Sequence, residues 1–171
     1  MFDPTIFDNL KVGMENHLYD LDTIEQLIEI KNRKDIMDFS IMSRQFALEF
    51  HLANQPSILA EIVLHATIKD LSDEILEVSG QTPGCSLLLR FSLDIVDVKR
   101  QCNEIENILL HIWDPALPPN QIIQFPFEKD KISYTNTIEL QFNHKINEEH
   151  MADIPGLVEH VLLTLQQLQR V

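Results

Sequence analysis

The chain has 171 residues, 44% hydrophobic and 23% charged, with 13 Lys and Arg against 27 Asp and Glu and a formal net charge of −14. That length suits a single domain over residues 1–171 with its own core, and four glycines with eight prolines exclude a collagen-like or low-complexity chain. So acidic a chain offers no broad phosphate-neutralising face, so nucleic acid is not an expected partner.

The opening MFDPTIFDNL carries an acid where a secretory signal needs a basic region, and no stretch approaches the roughly 18 apolar residues of a spanning helix. Cys85 and Cys102 lack CxxC spacing, and both read as small apolar packing residues rather than a disulfide. Together these features predict a cytoplasmic protein without membrane association.

In chain order, Ile6, Leu10, Val12, Met14 and Leu18 share one parity, which predicts an N-terminal strand ending at Leu18–Asp22. Residues 23–31 fit helix or strand, with strand preferred, and Asn32–Asp35 reads as a polar turn. Phe46, Leu48, Phe50 and Leu52 mark a strand within 36–52, and Asn54–Ser57 reads as a turn. Ala60–Lys69 is predicted as the next strand, with Ile62, Leu64, Ala66 and Ile68 facing inward. Residues 70–78 fit either a kinked continuation or a helical turn, and Ser79–Gly84 is a loop.

Cys85–Ile95 is a strand with Leu87, Leu89, Phe91, Leu93 and Ile95 on one face. The period then changes: Val98, Cys102, Ile105, Leu109 and Ile112 recur at three and four, a helix over about 97–113 with Asp94 or Asp97 as cap. Trp113–Asn120 is a proline-rich connector, and Ile123–Phe127, broken by Pro126, suggests a short edge strand. From Tyr134 to Ile146 one parity is largely apolar and the other wholly polar, the pattern of an antiparallel sheet covered on one side. A last helix over about 154–170 starts at Asp153 and Pro155. The predicted fold is α+β: a mainly antiparallel sheet whose apolar face is covered by the C-terminal helix and a second helix.

Chemistry is poorly signposted. Gly80 and Gly84 are not followed by the Lys-Ser or Lys-Thr of a phosphate loop, no Gly-x-Ser-x-Gly elbow occurs, and neither cysteine sits beside an activating residue. His144 and His150, six apart, do not match a zinc-ligand spacing, and the Asp pairs lack a calcium-loop pattern. No cofactor, metal or catalytic residue is therefore assigned. Asn136 and His144 stand out on the apolar parity of the last strand; with Tyr134 they are the candidates for lining a pocket between sheet and final helix. That helix is apolar over more than one stripe, and Val158, Leu162 and Leu163 are the candidate interface residues of a homodimer.

Two functions compete. The leading one is a non-enzymatic protein- or peptide-interaction domain, homodimeric, whose charge favours basic partners. The alternative is a binding protein or enzyme for a small apolar ligand, with its cavity between sheet and C-terminal helix. A nucleic-acid mimic is disfavoured, since the acids are scattered rather than ranked along one face.

Overall fold

The computed structural model describes residues 5–127 and 133–171. It is an α+β fold with four α-helices and a six-stranded, fully antiparallel sheet. Residues 1–4, where the targeting reading began, lie outside the described residues.

Ile6–Thr23 is a helix, α1, and not the strand expected from its parity. Leu10, Met14 and Leu18 are spaced by four, so they satisfy a period of two and a helical stripe equally well. Phe7 and Leu21, of the opposite parity, break the tie, because both are buried while Val12 is exposed.

Strands β1 (Ile28–Asp38), β2 (Ser43–Leu52) and β3 (Gln55–Ala66) follow as a meander. Asn32–Asp35, expected as a turn, runs inside β1, just past an irregularity between Ile30 and Asn32. Its charges are absorbed by α1: Arg33 Nε donates to Glu15 at 2.5 Å and Lys11 Nζ to Asp35 at 2.9 Å. The reversal falls instead at residues 39–42, where Met42 takes a left-handed φ of +53°. The β2–β3 turn is only Ala53–Asn54, so Gln55–Ser57 belongs to β3.

After β3 the chain forms α2 (Ile68–Leu76), then β4 (Ser86–Ile95), α3 (Val98–Trp113), β5 (Asn120–Gln124), β6 (Tyr134–Gln141), a 3-10 turn (Glu148–Asp153) and α4 (Ile154–Leu168). Asp97 caps α3 by accepting from the Arg100 amide. Asp153 makes no side-chain cap bond, and Pro155 opens α4. β6 stops at Gln141; only Ile146, bridged to Cys85, rejoins the sheet. The strand order is β1-β2-β3-β4-β6-β5, with β5 at an edge.

One sheet face carries Phe46, Leu48, Phe50, Ile62, Leu64, Leu89, Phe91, Ile138 and Leu140, all buried in one core with residues of α1, α3 and α4. The other face mixes apolar residues such as Ala47 and Val63 with an ion row that crosses four strands. Lys34 on β1 donates to Glu61 on β3 at 2.9 Å, and Arg90 on β4 binds both Glu61 and Glu139 on β6. These partners sit opposite one another in register (Glu61↔Arg90, Arg90↔Glu139), so strand pairing itself aligns the charges.

Candidate functional site: a helix with its apolar side outward

Among the nine residues of α2 the only buried one is an acid, Asp70. Thr67 and Asp70 form a reciprocal capping box: the Asp70 carboxylate accepts from the Thr67 backbone N–H at 2.9 Å and hydroxyl at 2.7 Å. Lys145, on the segment after β6, donates to the other carboxylate oxygen. Burial alone would raise the Asp70 carboxyl, but the bonds from Lys145 and Thr67 outweigh it and hold the group below its ordinary value.

Anchoring that edge of α2 decides what the opposite edge does. Each helical residue advances by about 100°, so Ile68, Leu71, Ser72 and Ile75 lie on one stripe roughly 150° from Asp70. Ile68 is 56% exposed, Ile75 43% and Leu76, beside the stripe, 70%. The stripe looks onto the β1–β2 hairpin, and together they line a groove of about 510 Å³ walled by Met37, Met42, Arg44, Ile68, Leu71 and Ile75. Phe39 and Ile41, in the hairpin turn, are exposed as well.

Two ion pairs border this groove. Arg44 binds Asp8 at 3.0 Å and lies 4.4 Å over the Phe7 ring, and Lys69 bonds Asp73 at 2.5 Å. The groove is largely apolar, with two methionines in its wall, adaptable side chains suited to a packed contact.

The sites singled out in the sequence are placed elsewhere. Tyr134 is half-buried at the start of β6, edge-on to Phe125 with centroids 5.8 Å apart. Asn136 is fully buried beneath α3: its Nδ2 donates to Gln121 Oε1 at 2.7 Å and reaches Cys102 Sγ at 3.6 Å. Gln121 in turn donates to the Cys102 carbonyl at 2.9 Å, which fixes the orientation of both amides and leaves Asn136 Oδ1 buried without a partner among the described residues. His144 lies past the end of β6 and is exposed. It lines a separate apolar cavity of about 160 Å³ with Met14, Leu87, Phe142, Ile146 and Leu157, at the start of α4. Tyr134 and His144 thus stand at opposite ends of β6, and the three residues do not share one pocket.

The interface candidates divide likewise. Val158 is 0% exposed inside the chain's own core, Leu162 is partly buried against it, and only Leu163 is open, at 41%. Val158 is therefore consumed by intramolecular packing and is not free to meet another chain. The features that mark α2 were present in the sequence as Thr67-x-x-Asp70 followed by apolar residues at three and seven from Ile68.

Cys85 and Cys102 are both free thiols. Burial, aided by the nearby charges of Asp70 and Glu74, pushes the Cys85 thiol up to about 12, so it stays protonated at neutral pH. Among the described residues no helix is long and apolar enough to cross a membrane, and no three His, Cys, Asp or Glu side chains gather as a metal site would require. Comparison of the chain with known protein families, curated proteins and solved structures finds no match.

Proposed function

We propose that the chain is a non-enzymatic protein-interaction domain that self-associates through the outward stripe of α2 and the adjoining hairpin. The observation that carries this reading is the inverted placement of α2: its acid is the buried residue while Ile68, Ile75 and Leu76 face solvent. A helix stabilises itself by burying its apolar stripe, so a stripe turned outward is best explained by a second surface that covers it.

A second copy is the favoured occupant on electrostatic grounds. Two chains of −14 repel least where acids are partly paired, and three ion pairs around α2, Arg44–Asp8, Lys69–Asp73 and Lys145–Asp70, offset part of the acidic charge there. Remaining acidic surface would favour basic partners for the assembled pair. A reducing, cytoplasmic setting goes with this reading and is supported by the two free cysteines. Light scattering at ten to a hundred micromolar, by order of magnitude, tests it: twice the chain mass of 19.8 kDa is expected, and a monomer throughout would reject it.

A small-ligand role has one observation in its favour, the cavity of about 160 Å³ bordered by His144 and Leu157. That volume suits a single benzene-sized group. Xenon or benzene binding with a raised melting temperature would support it, and no shift at saturating benzene would remove it.

A further inference from the structure

The β1–β2 hairpin ends in an apolar tip. Residues 36–43 read Ile-Met-Asp-Phe-Ser-Ile-Met-Ser, with Asp38 as their one charge. Turns this tight are ordinarily built from Gly, Asn, Asp, Ser and Pro, yet this one holds Phe39, 78% exposed, and Ile41, 61% exposed. Asp38 orders the turn: its carboxylate accepts from the Ser40 amide at 2.9 Å and from the Ser40 hydroxyl. A tip held in this way gives up little freedom when another surface covers it.

The α2 groove starts at the base of the same hairpin, at Met37 and Met42. Phe39 and Ile41 do not line it; the tip stands beyond the last paired residues, Asp38 and Ser43, and does not fold back over its own groove. Each chain therefore carries an apolar projection and, beside it, an apolar groove that this projection does not fill. Resting on the self-association proposed above, we infer that the pair closes by exchange. Phe39 and Ile41 of each copy enter the α2 groove of the other, so that the partner copy completes the site.

Size, chemistry and area favour this occupant. A cavity of about 150 Å³ takes a benzene ring, so a groove of about 510 Å³ has room for the Phe39 ring and the Ile41 side chain together. Two methionines in the wall suit an aromatic ring, since thioether sulfur packs well against ring edges. The charged residues that line the groove, Asp8 and Arg44, bind each other at 3.0 Å, so covering them strands neither. Phe39, Ile41, Met42, Ile68, Ile75 and Leu76 together expose roughly 650 Å², close to the about 800 Å² that each partner of a stable pair gives up. Projection and groove lie on one surface, so a two-fold axis lets each copy give and receive at once, which closes the assembly at two.

The test uses the full chain at concentrations where it is dimeric. Phe39→Ser should weaken the dimer about tenfold or more by sedimentation equilibrium, Ile41→Ser less, and Phe39→Leu should restore most of the loss. Each variant should keep the wild-type circular dichroism, because both side chains are exposed. In a mixture of unlabelled chains with chains carrying carbon-13 in the isoleucine δ1 methyls, isotope-filtered NOEs are expected from the Phe39 ring of one copy to Ile68 and Ile75 of the other. A dimer that Ile75→Glu dissociates but Phe39→Ser leaves at wild-type affinity, without those NOEs, would overturn the exchange and leave the α2 interface standing. NOEs from Phe39 to the partner's hairpin instead of its α2 would overturn it as well. A wild-type chain that stays monomeric would remove both the exchange and the reading beneath it.

Discussion

Helices α2 and α4 use apolar residues in opposite ways. α4 is the more hydrophobic by sequence, and it spends nearly all of that within the chain: Ile154, Val158, Val161, Leu165 and Leu168 are buried against the sheet and α1. α2 is shorter and more polar: Leu71 packs against the core, while Ile68, Ile75 and Leu76 stay exposed on a helix whose other side Thr67, Asp70 and Lys145 hold down. Total hydrophobicity therefore says little about where a surface is left open; the orientation of a helix about its own axis decides it, and a buried polar anchor can set that orientation.

The difference can be broken most severely from the α4 side. Leu165→Ala removes a fully buried side chain and should cost about 2–5 kcal/mol, read as a lower urea midpoint. A loss below about 1 kcal/mol would mean that α4 is not packed as described.

Next in size is the anchor of α2. D70N keeps the shape but removes the charge that Lys145 and Thr67 bind, with an expected loss of about 1–3 kcal/mol at pH 7, discounted because Lys145 is half-exposed. The sign with pH follows from the lowered carboxyl. The folded state holds this proton less tightly than the unfolded chain, so the stabilisation is complete above the ordinary carboxyl value of 3.8 and disappears as pH falls through the folded value. The stability gap between wild type and D70N should be full above 3.8 and close as pH falls through the lowered folded value; parallel curves would show that the Asp70 charge is not what holds the helix.

I68E/I75E should move stability of the isolated chain by about 0.5 kcal/mol or less, since both side chains are exposed, while abolishing self-association. The smallest effect belongs to Leu163→Glu, within about 0.5 kcal/mol and without change of oligomer mass. A dimer lost in this variant would return the interface to α4.

Where the sequence was legible, one period prevailed without competition. β4 with Leu87 to Ile95, α3 with Val98 to Ile112, the polar-apolar alternation of Tyr134 to Gln141 and the one-sided cover of the sheet are all read directly from spacing. It was illegible where two periods coincide. Leu10, Met14 and Leu18 serve strand and helix equally, and Ile68 prolongs the parity of Ile62, Leu64 and Ala66 although the helix has already begun at that residue. The candidate site was hidden for the same reason, as Ile68 was expected to face inward. Its orientation depends on Lys145, 75 positions from Asp70, a pairing no local pattern records.

Sedimentation equilibrium on Ile75→Glu beside Leu163→Glu, at one concentration in the tens of micromolar by order of magnitude, asks most directly which helix another chain covers. Coverage of α2 requires Ile75→Glu to sediment as a monomer of 19.8 kDa and Leu163→Glu at twice that mass. The reverse pattern, or an undisturbed dimer in both, would contradict it.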